Sequence, residues 1–427
     1  MGLYSMARSV NAKRKQYIKR QAGKVLSPVR RIERVHPPRT GRVVAMTFDD
    51  GPCAGSFSGG KRGLTEELLE ILREAGATAS FDVIGTTAEN YPDRQGDVGS
   101  VQFGGVRYDH YPCFGRDALA GVVNQPELVR KILAGGHELT NHSYSHRLFG
   151  PKRVVYRRRE HMQSLQQVTE DLVRLHDYVR EQFGYEMKLA RPPHYVDHIP
   201  GGTTSYDAYR IMGYQYMAAS FDGGGWQPLD SYAGEVRQMV QPLRQLLECD
   251  AGALSGQIIF QKDGCNMNLR APVLDALPQQ LRLLRQYGYQ VVSVSELLEL
   301  SPFEDLAPDS RAMPYVQELL RQGHIVGYQN NTFQGEKAIT PEEFLLMAAR
   351  PERLRTQARF SPHEIIRESK RDLGVDLQDA SGKTLLDLAW RRGIEVDEAG
   401  FKDKKAVKRE DAAPLLAALA RQTVCAS

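Results

Sequence analysis

The sequence predicts an α/β protein on a mainly parallel sheet, open or closed into a barrel, followed by a smaller helical region after residue 300. Three observations predict it. Short apolar runs alternate with amphipathic stretches from Val43 to about Leu300. After Ser301-Pro302 the pattern gives way to segments that recur at an offset of about 68–70 residues. Acidic and imidazole side chains gather at the end of the first apolar run and again about ninety residues later, where parallel sheets carry their active sites.

Taken in order, Val43–Phe48 reads as a buried strand, and a helix follows around Leu64–Glu74. Thr78–Ile84 is a second strand and Pro126–Ala134 a short helix. Met162, Leu165, Val168, Leu172 and Leu175 fall at helical spacing within Arg157–Phe183. Met187–Ala190, Tyr214–Ala218, Gln257–Gln261 and Gln290–Val294 read as further strands, with helical patterns at 231–248 and 273–287. Residues 86–121, rich in Gly and aromatics, are too long for a simple strand–helix connection and read as an insertion at the active-site face. In the last third, Gly323, Phe333, Ile339 and Glu343 answer to Gly393, Phe401, Val407 and Asp411. Residues 303–350 and 376–421 therefore read as two diverged copies of one small helical unit. The expected division is a basic arm at 1–40, a catalytic domain at 41–300 and the repeats at 301–427.

The net charge of +4 conceals an asymmetry. Residues 1–40 hold eleven Lys/Arg and one acid, Glu33, whereas the remaining 387 carry 45 basic and 51 acidic side chains. The arm reads as a solvated tail, with anionic wall polymer, lipid headgroups or nucleic acid as its other potential contacts. No nucleic-acid partner is predicted for the body. No apolar stretch approaches the ~20 residues of a membrane span, and the arm lacks the apolar core of a secretory signal. Five cysteines (Cys53, Cys113, Cys249, Cys265, Cys425) show no CxxC spacing. Cys53 and Cys113, both near the proposed site, are candidates for a pair, against idle thiols.

Thr47-Phe48-Asp49-Asp50-Gly51-Pro52 closes the first strand, and Asn141-His142-Ser143-Tyr144-Ser145-His146 follows later. Charge at a sheet end costs stability unless it is paired or metal-bound. Successive strand residues face opposite sides, so the two carboxylates can divide labour between metal and water. His142 and His146 lie one helical turn apart, if that segment is helical, and can converge on one ion. Asp50, His142 and His146 then give three protein ligands and leave a position for water, whose pKa a divalent metal lowers. Asp49 takes the proton.

TFDDGP, HELTNHSYSH and the RPP segment together resemble the polysaccharide deacetylases of carbohydrate esterase family 4, the NodB-homology group, over about residues 42–300. The resemblance implies a distorted (β/α) barrel. It also implies that Asp49 is the base, that Asp50, His142 and His146 bind zinc or a similar metal such as cobalt, and that Arg191 positions the base. The backbone after Arg191-Pro192-Pro193 is implied in the oxyanion hole. Three departures stand out. The family's RPPYG is Arg191-Pro192-Pro193-His194-Tyr195 here. Its DxxDW is Asp222-Gly223-Gly224-Gly225-Trp226, so the Asp that partners the Arg is Gly225. Its LLHD-like segment is Phe260-Gln261-Lys262-Asp263, with Lys262 replacing the His that protonates the leaving amine. Lys262 and His194 are the two candidates for that acid, the other reading being that neither serves and that Lys262 is a substrate-binding or structural cation. His194, Tyr195, Asp222, Trp226 and Phe260 are expected at the substrate; aromatic walls suit sugar faces, a core role being the other reading for Trp226 and Phe260.

The C-terminal copies resemble S-layer homology domains, best in the first: Phe303-Glu304-Asp305-Leu306, Gly323-His324-Ile325-Val326-Gly327-Tyr328, Phe333 and Ile339-Thr340-Pro341-Glu342-Glu343-Phe344. The family's TRAE is Thr340-Pro341-Glu342-Glu343 in one copy and Lys408-Arg409-Glu410-Asp411 in the other. The resemblance implies a cell-wall polymer as partner, through Arg409 where the first copy has lost its Arg. A domain that only packs on the barrel is the alternative. The combined expectation is a metal-dependent enzyme that removes N-acetyl groups from an amino-sugar polymer such as peptidoglycan or a chitin-like glycan. Its expected location is extracellular or wall-associated. The rivals are a wall-binding protein with impaired turnover and a cytoplasmic hydrolase of small amides.

Overall fold

A computed structural model describes residues 29–35, 41–57, 62–89, 118–151, 161–266, 269–300, 303, 305–307, 309–325, 327–328, 332–348, 362–374 and 377–424. Most of the basic arm and most of the 86–121 insertion lie outside the described residues, as do Cys113 and Cys425. The chain divides into two compact units. One comprises Ile32–Tyr209 and Tyr216–Leu300, the other Met1–Arg31, Arg210–Gln215 and Ser301–Ser427.

The large sheet is built on strands β1 (Arg31–Ile32), β2 (Val43–Asp49), β3 (Ser80–Val83), β4 (Glu138–Asn141), β5 (Leu189–Ala190), β8 (Gln215–Met217), β9 (Phe221–Asp222), β10 (Ile258–Lys262) and β11 (Gln290–Val292). A separate two-stranded ribbon joins β6 (His198–Ile199) to β7 (Thr203–Thr204). The large sheet runs β1-β8-β5-β4-β3-β2-β10-β9, with β11 also on β2. The pairings of β10, β11 and β3 with β2, of β3 with β4, and of β4 with β5 are all parallel. The path has two ends among the described residues. The architecture is therefore a half-barrel wrapped by helices, the distorted barrel the sequence predicts.

β2 is buried along its whole length, as a strand covered on both faces must be. The helix Leu64–Ala75 buries Leu64, Leu68 and Leu72 at four-residue spacing and ends at Gly76 in the left-handed conformation. The long helix is Leu165–Phe183, begun by Ser164, whose hydroxyl accepts the Gln167 N–H at 3.2 Å. It starts later than the apolar spacing suggests, because the Ser164 cap takes precedence over the periodicity that includes Met162. Glu138–Asn141 had no strand reading in the sequence, yet it leads directly into the first histidine. Its four residues mix Glu, Leu, Thr and Asn, too polar for an apolar-run criterion, although all four are buried.

The second unit contains helices Met313–Arg321, Pro341–Ala348, Pro362–Leu373, Gly382–Arg391 and Arg409–Val424. Its core includes Val316, Leu319, Phe344, Leu385, Leu388 and Leu416. Two helix ends are closed alike. After Gly323 (φ 77°) the His324 N–H returns to the Leu319 carbonyl, and after Gly393 (φ 62°) the Ile394 N–H returns to that of Ala389, both at 2.9 Å. Ala338 and Lys408 form an antiparallel bridge, with the Ile339 N–H on the Val407 carbonyl at 2.8 Å.

Candidate functional site

Parallel register sets out the site as a row at the carboxyl ends of the strands. Lys262 of β10 lies beside Asp49 of β2, Asp49 beside Asp82 of β3, and Asp82 beside Thr140 of β4. Residues in register on parallel strands face the same side of a sheet, so these four share one face. β4 pairs with β5 through Asn141 and Ala190, and the next residue on each strand is His142 and Arg191. Asp50 follows Asp49 at the strand end, where its φ of 81° turns it away from the strand course.

Asp50 Oδ1 lies 3.3 Å from His142 Nε2 and 3.0 Å from His146 Nε2. All three side chains are buried, and their ligand atoms lie within 4.8 Å of one another. One carboxylate and two imidazole nitrogens facing one point are a donor set suited to a divalent ion. The convergence does not use a helix. His142–His146 is a loop, with Ser143 at φ 73° and His146 at φ 53°, and so the one-turn reading of the spacing is corrected. Polar side chains hold that loop in place. Asn141 Oδ1 accepts the Ser143 N–H, Ser143 Oγ accepts the His146 N–H, and Asp171 Oδ2 accepts the N–H groups of Tyr144 and Ser145 at 2.7 and 3.2 Å.

Arg191 donates through Nη1 to Asp49 Oδ1 and, at 3.0 Å, to Thr47 Oγ1, and through Nε to the Met217 carbonyl at 3.2 Å. The guanidinium thus reaches the carboxylate directly although position 225 is Gly. Gly225 has φ 88°, and a Cβ there would meet Met239 Cε and Sδ at 3.1 and 3.2 Å. Burial pushes the Asp49 pKa up to about 7, against the opposing pull of Arg191 and His142. Burial acts in the same direction on Asp50, but Lys262 and His146 outweigh it and hold that carboxyl well below the usual range. Lys262 Nζ is ion-paired with Asp50 Oδ2.

His194 sits in a tight turn at φ 54°, its ring 5.1 Å from that of His146. Pro192 and Pro193 have no N–H, and the Tyr195 N–H is used by the Pro192 carbonyl at 3.0 Å. The His194 amide is therefore the first N–H after the prolines. Tyr195 is exposed, its ring 5.5 Å from the Arg191 guanidinium. Phe260, two residues before Lys262 on β10, lies 5.9 Å from the same group. Trp226 is 42% exposed, and its Nε1 donates to Asp222 Oδ2 at 3.0 Å.

Sequence reasoning missed Asp82 and Asp171. Asp82 was visible as the one acid inside the apolar Thr78–Ile84 run. Asp171 was visible only as a polar residue on a helix whose buried stripe lies one position away at Leu172.

Residues 36–216 match the polysaccharide deacetylase family model, and residues 302–345 match that of the S-layer homology domain. A peptidoglycan-N-acetylglucosamine deacetylase of Listeria monocytogenes is 23% identical over 267 residues, which cover 62% of this chain and 41% of that protein. One from Bacillus cereus is 25% identical over 264 residues, 61% of this chain and 90% of its own length. The solved structure of the peptidoglycan deacetylase PdaC from Bacillus subtilis aligns with 61% of this chain and 92% of its own, at 21% identity and a TM-score of 0.39. The chain spans less than half the length of the Listeria relative. No helix among the described residues is long and apolar enough to cross a membrane.

Proposed function

The chain carries a polysaccharide deacetylase domain followed by an S-layer homology domain, and on that premise we propose that it hydrolyses N-acetyl groups of an amino-sugar polymer, peptidoglycan or a chitin-like glycan. The observation that carries the reading is the convergence of Asp50, His142 and His146 beside a base, Asp49, held by Arg191.

A divalent ion held by Asp50, His142 and His146, zinc first and cobalt second, supplies Lewis-acid polarisation of the amide carbonyl and a lowered pKa for the attacking water. The chain's own residues do the rest. Asp49 accepts the water's proton, and Arg191 keeps that carboxylate oriented while leaving Oδ2 to receive it. The His194 amide donates to the oxygen on which charge develops. Lys262 gives a proton to the nitrogen as the C–N bond breaks, so that acetate and a free amine leave. Tyr195, Phe260 and Trp226, the last held by Asp222, offer aromatic faces to the sugar ring together with the His194 side chain.

The domain organisation in this proposal keeps the catalytic part at 41–300 and assigns 301–427 to two diverged repeats that bind a cell-wall polymer, placing the protein at the cell surface. The paired bridge at Ala338 and Lys408 and the matching helix ends at Gly323 and Gly393 support the two-copy reading. The binding role is assigned to Arg409, the Arg that the second copy keeps; it is buried, and its Nε and Nη2 have no hydrogen-bond partner among the described residues.

One observation favours a second reading, a wall-binding protein with little turnover: Lys262 is engaged by Asp50, a metal ligand. Acetate release from acetylated chito-oligomers and from peptidoglycan, with zinc or cobalt added, separates the two. Metal-dependent release that Asp49→Asn abolishes supports the enzyme. Release no higher than that of Asp49→Asn, with glycan binding intact, supports the binder.

A further inference from the structure

Asp82 has no place in the roles given so far, yet it lies at the centre of the row, fully buried between Asp49 and Thr140. Its neighbours on β3, Phe81 and Val83, are apolar core residues. A carboxylate at such a position costs several kcal/mol of desolvation unless strong partners compensate. A role confined to filling the strand would be met at lower cost by another apolar side chain.

Its two oxygens have different surroundings, and Oδ2 accepts no hydrogen bond among the described residues. Oδ1 accepts the Thr140 hydroxyl at 2.5 Å, which fixes the carboxylate plane. Oδ2 lies 2.8 Å from His142 Nδ1. The same Nδ1 makes a 2.9 Å hydrogen bond to the Arg191 carbonyl, so it carries the ring proton, with the Asp82 carboxylate beside it as a charge. With the proton on Nδ1, the lone pair of His142 is on Nε2, the atom that faces Asp50. A carboxylate charge beside that N–H favours the proton on Nδ1 and makes the imidazole a better donor to a cation.

Asp49, Asp82 and His142 also lie close enough to suggest a second cation site of their own. The hydrogen bond to the Arg191 carbonyl excludes that arrangement, because it places the proton on Nδ1, the ring nitrogen of His142 nearest Asp82. The geometry points to a relay instead. We propose that Asp82 is a positioning residue that locks the His142 tautomer and ring and thereby strengthens the metal centre. The inference rests on the reading of Asp50, His142 and His146 as metal ligands.

The test is the zinc affinity of the full chain, measured by competition with a chelator for wild type, Asp82→Asn, Asp82→Leu and Asp50→Asn. The visible spectrum of the cobalt-substituted proteins and the melting temperature of the metal-free ones complete it. Asp82→Leu is expected to weaken zinc binding about 10–100-fold, with Asp82→Asn in between. Both should shift the cobalt bands, while the metal-free melting temperature is unchanged or higher. A packing role alone would instead lower the melting temperature and leave affinity and spectrum in place. Wild-type affinity and spectrum in both Asp82 variants, beside clear loss in Asp50→Asn, would overturn the inference and leave the metal reading standing. Wild type that binds no zinc more tightly than Asp50→Asn would overturn both. If Asp82→Leu does not fold, the ring ¹⁵N shifts of His142 in zinc-loaded wild type decide: a proton on Nε2 rather than Nδ1 contradicts the relay.

Discussion

Arg191 in the barrel unit and Arg409 in the helical unit are both almost completely buried, at 0% and 1% exposure, but their surroundings differ in kind. Arg191 lies on a carboxylate. Burial works against its charge, but Asp49 outweighs that and raises the guanidinium pKa above its ordinary value. Arg409 lies in a box of rings, 4.8 Å from Tyr328 and 5.3 Å from Phe333. Its nearest carboxylate, Glu343, is 3.8 Å away and already holds Lys337 at 2.9 Å. There burial prevails and the pKa falls. A buried cation with its own anion serves to hold that anion still. One surrounded by aromatic faces, whose nearest carboxylate already holds another cation, is not fixed by an anion of its own.

The largest effect that can sharpen this contrast is on turnover. Asp49→Asn keeps the shape of the Arg191 contact and removes the base, so acetate release should fall about 10²–10⁴-fold. Zinc stoichiometry should stay as in wild type. Loss of zinc together with activity would instead make Asp49 a ligand, and Arg191 the partner of a metal site rather than of a base.

Next in size is Arg191→Met, which strands the Asp49 carboxylate in the core. Removing one partner of a buried pair costs about 3–5 kcal/mol. Urea midpoints measured in a Trp390→Phe background, where Trp226 of the barrel unit is the remaining tryptophan, report the loss. A cost below about 1 kcal/mol would mean that Asp49 does not depend on Arg191.

How much of this was legible depends on the kind of signal. Asp49-Asp50 and the histidines were readable because charge at the end of an apolar strand has few uses besides chemistry. The loop that joins His142 to His146 was not. An i, i+4 spacing reads as a helical turn, whereas the chain achieves the convergence with left-handed residues at Ser143 and His146 and with Asp171 as an anchor. Strand β4 was hidden by its polar residues, which are buried because they bond to neighbours across the sheet. The missing Asp at 225 read as a lost partner for Arg191. Register supplied the answer that spacing could not, since Asp49 and Arg191 meet across two intervening strands, β3 and β4.

A third measurement compares the units by acid. His137 of the barrel unit accepts the Ala79 N–H on Nδ1 at 3.2 Å and must be neutral to do so. Burial pushes its pKa down to about 4. The unfolded chain, with a pKa near 6.5, binds the proton first. The stabilisation is therefore complete above about pH 6.5 and is lost as pH falls toward 4, by roughly 3 kcal/mol. His324 of the helical unit faces the Met347 carbonyl at 3.1 Å through Nδ1. Acid should thus weaken the barrel unit first, and His137→Gln should flatten its profile between those two values. An unchanged slope in the variant would assign the loss to other groups.

The smallest expected effect on stability is the most informative about Arg409. In Arg409→Met every former partner keeps another: the Tyr328 hydroxyl donates to Glu343 at 3.1 Å and accepts from Lys337 at 2.9 Å, and Lys337 also holds Glu343. The backbone N–H of residue 409 still reaches the Lys337 carbonyl. Met fills the space between Tyr328 and Phe333 without leaving an anion unpaired. Stability of the helical unit, followed by Trp390 fluorescence in a Trp226→Phe background, should change by less than about 1 kcal/mol in either direction. Binding of the full chain to purified cell walls should nevertheless fall at least about tenfold, since a charge-assisted bond to a buried guanidinium contributes about 1.5–3 kcal/mol. A loss of several kcal/mol in stability with wall binding unchanged would reverse the assignment. Arg409 would then be, like Arg191, a cation kept for the fold's own carboxylates.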